Sequence, residues 1–251
     1  MKKTRIILVG LCLVALCVGI VNVYAADNTI KIGYVENLTG QQATLGQYCL
    51  SGVQLAIDDI NAAGGVNGKK LELITEDTRS DTTGAVSALQ KIIAEHPDIS
   101  GLIVPPYTAH TLAIEPIIKD FGVPTFTGGT NASITRLGNK WMFRNRPDDT
   151  IVASVMAAFA VDELKAKKIA IFHNNDSFGS GGATALKDYL QKTYKITPVA
   201  VEGHNTGDKD FSAQLMIFRK KKYDTILSYS FPIESGLLTR QMVQMGFKVN
   251  R

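Results

Sequence analysis

The sequence predicts an α/β fold of parallel sheets flanked by helices, arranged in two lobes. Three observations carry this. From Asp27 onward, strand-like and helix-like segments alternate with short connections between them, the pattern of parallel strands joined by helical crossovers. Residues 51–77, SGVQLAIDDINAAGGVNGKKLELITED, spell out one such unit in full. The chain, at 251 residues, is long enough for two domains of about a hundred residues each once an N-terminal leader is set aside.

Taken in order, residues 30–35 form the first expected strand. A helix is expected over 47–63, because Val53, Ala56, Ile57 and Ile60 fall at i, i+3, i+4 and i+7 and line one face. Gly64 and Gly65 follow it and can take the left-handed conformation that ends a helix. Leu71, Leu73 and Ile74 interleaved with Glu72 mark a strand at 71–76. Further strands are expected at 101–104, 123–127, 168–173, 198–202 and 225–229. Helices are expected at 82–95, 111–121, 150–164, 182–193, 211–220 and 234–245. Residues 141–149, WMFRNRPDD, mark the lobe boundary, since Pro147 suits neither a continuing helix nor a central strand. The lobes are therefore expected at 26–146 and 147–251. Asp148-Asp149 and Asp58-Asp59 read as solvated helix faces.

Residues 1–25 read as an export signal. Lys2, Lys3 and Arg5 precede an apolar run from Ile6 to Val23, and Val23-Tyr24-Ala25 supplies small residues at −3 and −1 of a cleavage site. A membrane anchor is the rival reading, because a run of about 18 apolar residues nearly spans a bilayer. Cleavage after Ala25 leaves 24 basic against 23 acidic residues, so no basic patch remains to argue for nucleic acid. Cys49 would then be the one remaining cysteine, excluding an internal disulfide. The four histidines, His96, His110, His173 and His204, have no metal-ligand spacing, and neither metal nor cofactor is expected. An enzyme is disfavoured: Gly179-Ser180-Gly181 begins a dinucleotide fingerprint that Thr184 breaks, and no nucleophile elbow or P-loop occurs.

Ligands of parallel sheets bind at the carboxyl ends of the strands. Four stretches fall there: 39–46, 105–110, 127–131 and 174–182. The second and third suit a small zwitterion. The hydroxyls of Thr108 and Thr130 can donate to a carboxylate, and the glycines let backbone groups approach.

The wording DINAAGGVNGKKLEL, with TGQQATLG, FTGGTNASIT, FRNRPDD, GDKDFSAQL and LLTRQMVQMGF, resembles the periplasmic leucine/isoleucine/valine-binding proteins across residues 29–250. The resemblance implies a two-lobed type I periplasmic binding fold and a solute-capturing component of an ABC importer, working in the periplasm as a monomer beside a membrane-embedded permease. It implies that Thr108 and Thr130 hold the solute's carboxylate and ammonium, that Gly128 and Gly129 offer backbone contacts, and that Leu45 and Tyr107 form walls. It also implies that Phe178 and Phe231 close over the solute from the second lobe. Phenylalanine stands at these two positions where the family often has tyrosine, so the wall stays apolar but loses a hydroxyl. The family continues for about a further third beyond the position of Arg251, including an acid that pairs with the solute's ammonium. A branched-chain or other small amino acid is the expected solute. An amide, urea or small aromatic acid, or a sensory role for the same fold, is the alternative.

Overall fold

The computed structural model describes residues 29–247; the export signal expected at residues 1–25 lies outside them. In chain order the elements are β1 (Thr29–Glu36), α1 (Ala43–Ala62), β2 (Lys70–Asp77), α2 (Thr82–Glu95), β3 (Gly101–Val104), α3 (Thr108–Phe121), β4 (Thr125–Thr127) and β5 (Met142–Arg144). There follow α4 (Asp149–Ala158), β6 (Ile169–Asn174), α5 (Ser177–Tyr189), β7 (Ala200–His204), α6 (Ser212–Lys220), β8 (Thr225–Tyr229) and α7 (Pro232–Gln244).

The strands form two sheets, both parallel throughout. The first has the order β2-β1-β3-β4-β5 and the second β7-β6-β8. In each, the opening strand has the next two on either side of it, so the winding direction reverses there. Reversal leaves a crevice at the carboxyl ends of β1 and β3 in one sheet and of β6 and β8 in the other.

Apolar burial holds each sheet to its helices. Leu89 and Ile92 of α2 and Ile114 and Ile118 of α3 pack with Val35, Leu102 and Val104 under the first sheet. The second sheet is packed on both faces. Ile169, Ile171 and Leu186 lie in one cluster, and Phe172, Phe211, Leu215 and Phe218 in the other. Aspartates start three of the helices. Asp81, Asp148 and Asp176 accept from Gly84 N, Thr150 N and Gly179 N respectively, filling amides that a helix start leaves unpaired.

Several elements differ from expectation. α1 and α3 start at Ala43 and Thr108, each a few residues before the expected start. The stretch 174–182 is not a loop: α5 opens at Ser177, because Asp176 caps it and Gly179 lets its first turn press against Asn174, where a Cβ would come within 2.1 Å of the carbonyl oxygen. β5, inside the expected boundary segment, is a short strand beside β4. α4 passes into π-helical turns at Phe159–Glu163, and α5 does so at Leu190–Tyr194. Phe126 and Phe143 stack on the outer side of β4 and β5 at 5.5 Å, both nearly half exposed.

Candidate functional site: an aromatic crevice between two sheets

The crevice of the first sheet is built on threonines. Pro105, just after β3, has a carbonyl that accepts from Thr111 Oγ1 at 3.0 Å and from Thr127 Oγ1 at 3.1 Å. Those hydroxyls also meet each other at 2.9 Å. The loop after β3 is thereby tied to the loop after β4. Thr127 Oγ1 further accepts from Gly129 N at 3.0 Å, fixing the glycine turn. Gly128 fits only without a side chain, since a Cβ would stand 2.8 Å from Pro106 Cβ.

On this frame Tyr107 precedes α3, and Thr108, almost fully buried, is its first residue. Thr108 Oγ1 accepts from Asn131 N at 3.3 Å, so the two threonine-bearing turns meet. Thr130 is 3% exposed, and its Oγ1 has no hydrogen-bond partner. Such a group costs free energy unless something binds it. Tyr107 donates its hydroxyl to Gln42 Oε1 at 2.9 Å, bringing in the start of α1.

From the second sheet come Phe178, in the first turn of α5, and Phe231, just before Pro232 of α7. Their rings stack at 5.1 Å and 18°. Phe231 also meets Tyr107 of the first sheet at 5.6 Å, and Phe178 meets Tyr229 at 5.0 Å. A continuous run of rings thus joins the two crevices. Beside it lies a cavity of about 170 Å³ lined by Thr130, Arg146, Val152, Met156, Phe178, Ser228, Tyr229 and Ser230.

Of the residues expected at the site, Tyr107, Thr108, Gly128, Gly129 and Thr130 share one corner, and Phe178 and Phe231 face it. Leu45 is 45% exposed in the first turn of α1.

Two amide side chains cross between the halves. Asn131 Nδ2 donates to the Ser177 carbonyl at 2.9 Å and lies where a Cβ on Gly181 would be, 2.4 Å away. Gln41 Nε2 stands in the same relation to Gly207, again at 2.4 Å.

The expectation that Asp148 and Asp149 are solvated is corrected: they are 7% and 2% exposed. Asp148 caps α4 and pairs with Arg136 at 2.8 Å and Arg144 at 3.3 Å. Burial opposes its ionisation, but the Thr150 hydroxyl and amide hold its carboxyl below the usual range. Asp149 accepts from the Tyr229 hydroxyl at 2.5 Å. Burial raises its carboxyl, with Tyr229 and the nearby Thr130 hydroxyl working against that; Thr130 lies close without the geometry of a formed hydrogen bond. A capping aspartate after proline was the readable signal at Asp148; nothing local marks Asp149. Among the described residues, no group of three or more His, Cys, Asp or Glu is placed to hold a metal ion.

Residues 29–250 match the family described as periplasmic binding protein. The chain belongs to that family. Among curated relatives, a leucine-, isoleucine-, valine-, threonine- and alanine-binding protein of Pseudomonas aeruginosa is 32% identical over 229 residues, covering 91% of this chain and 61% of the relative. A leucine-specific-binding protein of Salmonella typhimurium is 29% identical, covering 98% of this chain and 65% of that protein. The solved isoleucine complex of a branched-chain amino acid transporter substrate-binding protein from Streptococcus pneumoniae superposes with a TM-score of 0.79 at 29% identity. It is covered to 62%, and this chain to 88%. The periplasmic binding fold expected from the sequence is therefore present, and the chain spans about three fifths of the length of these family members.

Proposed function

We propose that this protein is the solute-capturing component of an ABC importer, taking a branched-chain or other small amino acid between two hinged lobes. The lobes divide near Pro147, at 26–146 and 147–251. The observation that supports this most is the run of rings Tyr107, Phe231 and Phe178 spanning the two crevices beside the unpartnered Thr130 hydroxyl. An amino acid presents an apolar side chain and two charged groups, and this corner offers a surface for each.

The solute docks first on Thr108, Thr130 and the Gly128-Gly129 turn. The Phe178 and Phe231 half then closes over it, as hinge-bending binding proteins do, and excludes water. Asn131 and Gln41 reach across in the closed form. The role is binding rather than catalysis. The protein works as a monomer in the periplasm, exported by a leader cut after Ala25, and hands its solute to a membrane-embedded permease.

Thermal-shift screening and calorimetry of the full-length protein test this, using leucine, isoleucine, valine, amides and small aromatic acids. A solute that binds only the folded state raises its stability. Stabilisation by an aliphatic amino acid is expected. Stabilisation by amides or aromatic acids alone would transfer the site to those solutes.

A further inference from the structure

Ser230 connects β8 to α7 and lines the cavity that Thr130, Phe178 and Tyr229 share. Its hydroxyl lies 2.8 Å from Nε2 of His204, the last residue of β7. His204 is 1% exposed. Its ring is stacked on Phe172 at 4.5 Å and 14° and meets the edge of Phe211 at 5.2 Å, so packing fixes its plane.

The other ring nitrogen, Nδ1, lies 2.9 Å from the backbone carbonyl oxygen of Asn205. A carbonyl has no proton to give, so Nδ1 carries the hydrogen and donates it. A flipped ring would set carbon atoms against both oxygens, so the neighbours assign the orientation. In the neutral ring Nε2 then holds a lone pair, and its bond to Ser230 forms only with the serine as donor. The serine proton is committed to His204. What Ser230 has left for the cavity is oxygen lone pairs.

Across the cavity the Thr130 hydroxyl, close to the Asp149 carboxylate, makes no formed hydrogen bond and can turn its proton to a solute. The two walls therefore differ in polarity: an acceptor from the second sheet, a donor from the first.

We propose that Ser230, oriented by His204, sets which way round the solute binds: a primary ammonium group faces Ser230, and the carboxylate faces the Thr130 turn. Ser230 is then a specificity-determining residue for amines, and His204 a positioning residue. This rests on the reading of the cleft as a solute site. It predicts discrimination against solutes that carry a carboxylate or keto oxygen in place of the amine, because two acceptors would then oppose each other.

Calorimetry on the full-length protein with leucine and with 4-methylpentanoate, its analogue without the amine, tests the assignment. Losing one hydrogen bond to a charged group should weaken leucine binding to Ser230→Ala by about tenfold to a hundredfold. Affinity for 4-methylpentanoate should not change, and Ser230→Thr should restore leucine binding. Equal weakening of both ligands would overturn the proposal. Binding of neither ligand by the unaltered protein would instead sink the amino-acid reading. The orientation is tested apart from any ligand by nitrogen NMR of the imidazoles in the unaltered protein. His204 should show a protonated Nδ1 and a bare Nε2, and a protonated Nε2 would refute the proposal outright.

Discussion

Glu36, the last residue of β1, is 1% exposed. It accepts from its neighbour Asn37 N at 2.8 Å and from the Tyr34 hydroxyl at 3.3 Å, and no cation pairs with it among the described residues. Burial pushes its carboxyl up from 4.5 to about 7, against the pull of those two donors. The sign follows from linkage: the folded state holds the proton more tightly than the unfolded one, so stability falls as pH rises between the two values. Below about 4.5 the group is neutral in both states and costs nothing. Above about 7 the folded protein carries the full cost of a buried charge. Each pH unit of separation is worth 1.36 kcal/mol, so the interval amounts to roughly 3 kcal/mol. Glu36→Gln keeps an acceptor for Tyr34 and removes the titration. Urea unfolding at half-unit steps from pH 4.5 to 8 should show the variant gaining on the parent by about that amount across the window. A stability difference that stays flat over the whole range would refute the reasoning.

Three further perturbations have defined outcomes. Thr130→Ala in the full-length protein should weaken solute binding by about 1–3 kcal/mol through lost polar pairing, and calorimetry showing unchanged affinity would remove Thr130 from the site. Asp148→Ala strips the cap of α4 and leaves Arg144, whose side chain is 9% exposed, without its anion. The mostly exposed Arg136 pair adds little, so urea unfolding should show a loss of about 3–5 kcal/mol, chiefly from the stranded buried charge. Gly181→Ala should favour α5 by about 1 kcal/mol as a helix yet set a methyl 2.4 Å from Asn131 Nδ2; small-angle scattering should then report a more open molecule with unchanged helix content, and an unaltered radius would show that Asn131 yields.

Periodicity exposed β6 most plainly, because burial on both faces fills its first four residues, Ile169 to Phe172, with apolar side chains. It missed β5, whose three residues leave Phe143 half exposed and are followed by arginine and proline. It placed the start of α5 late because Gly179, Gly181 and Gly182 look like a loop. These glycines are needed for close approach: Cβ atoms there would meet Asn174, Asn131 and Tyr229. The hydroxyl turns around Thr108 and Thr130 were legible as strand-end chemistry. The pairs Asp149–Tyr229 and His204–Ser230 were not, since their partners lie 80 and 26 residues apart and only folding brings them together.

The two sheets share no strand among the described residues. Every strand of the first comes from Thr29–Arg144, and every strand of the second from Ile169–Tyr229. On the ribosome the earlier sheet can therefore settle before its companion has been made. At the usual 5–20 residues per second, the 85 residues separating Arg144 from Tyr229 give it a head start of roughly 4–17 s. Among the described residues, the strands of each sheet thus leave the ribosome as one uninterrupted block, so neither set has to be sorted from the other.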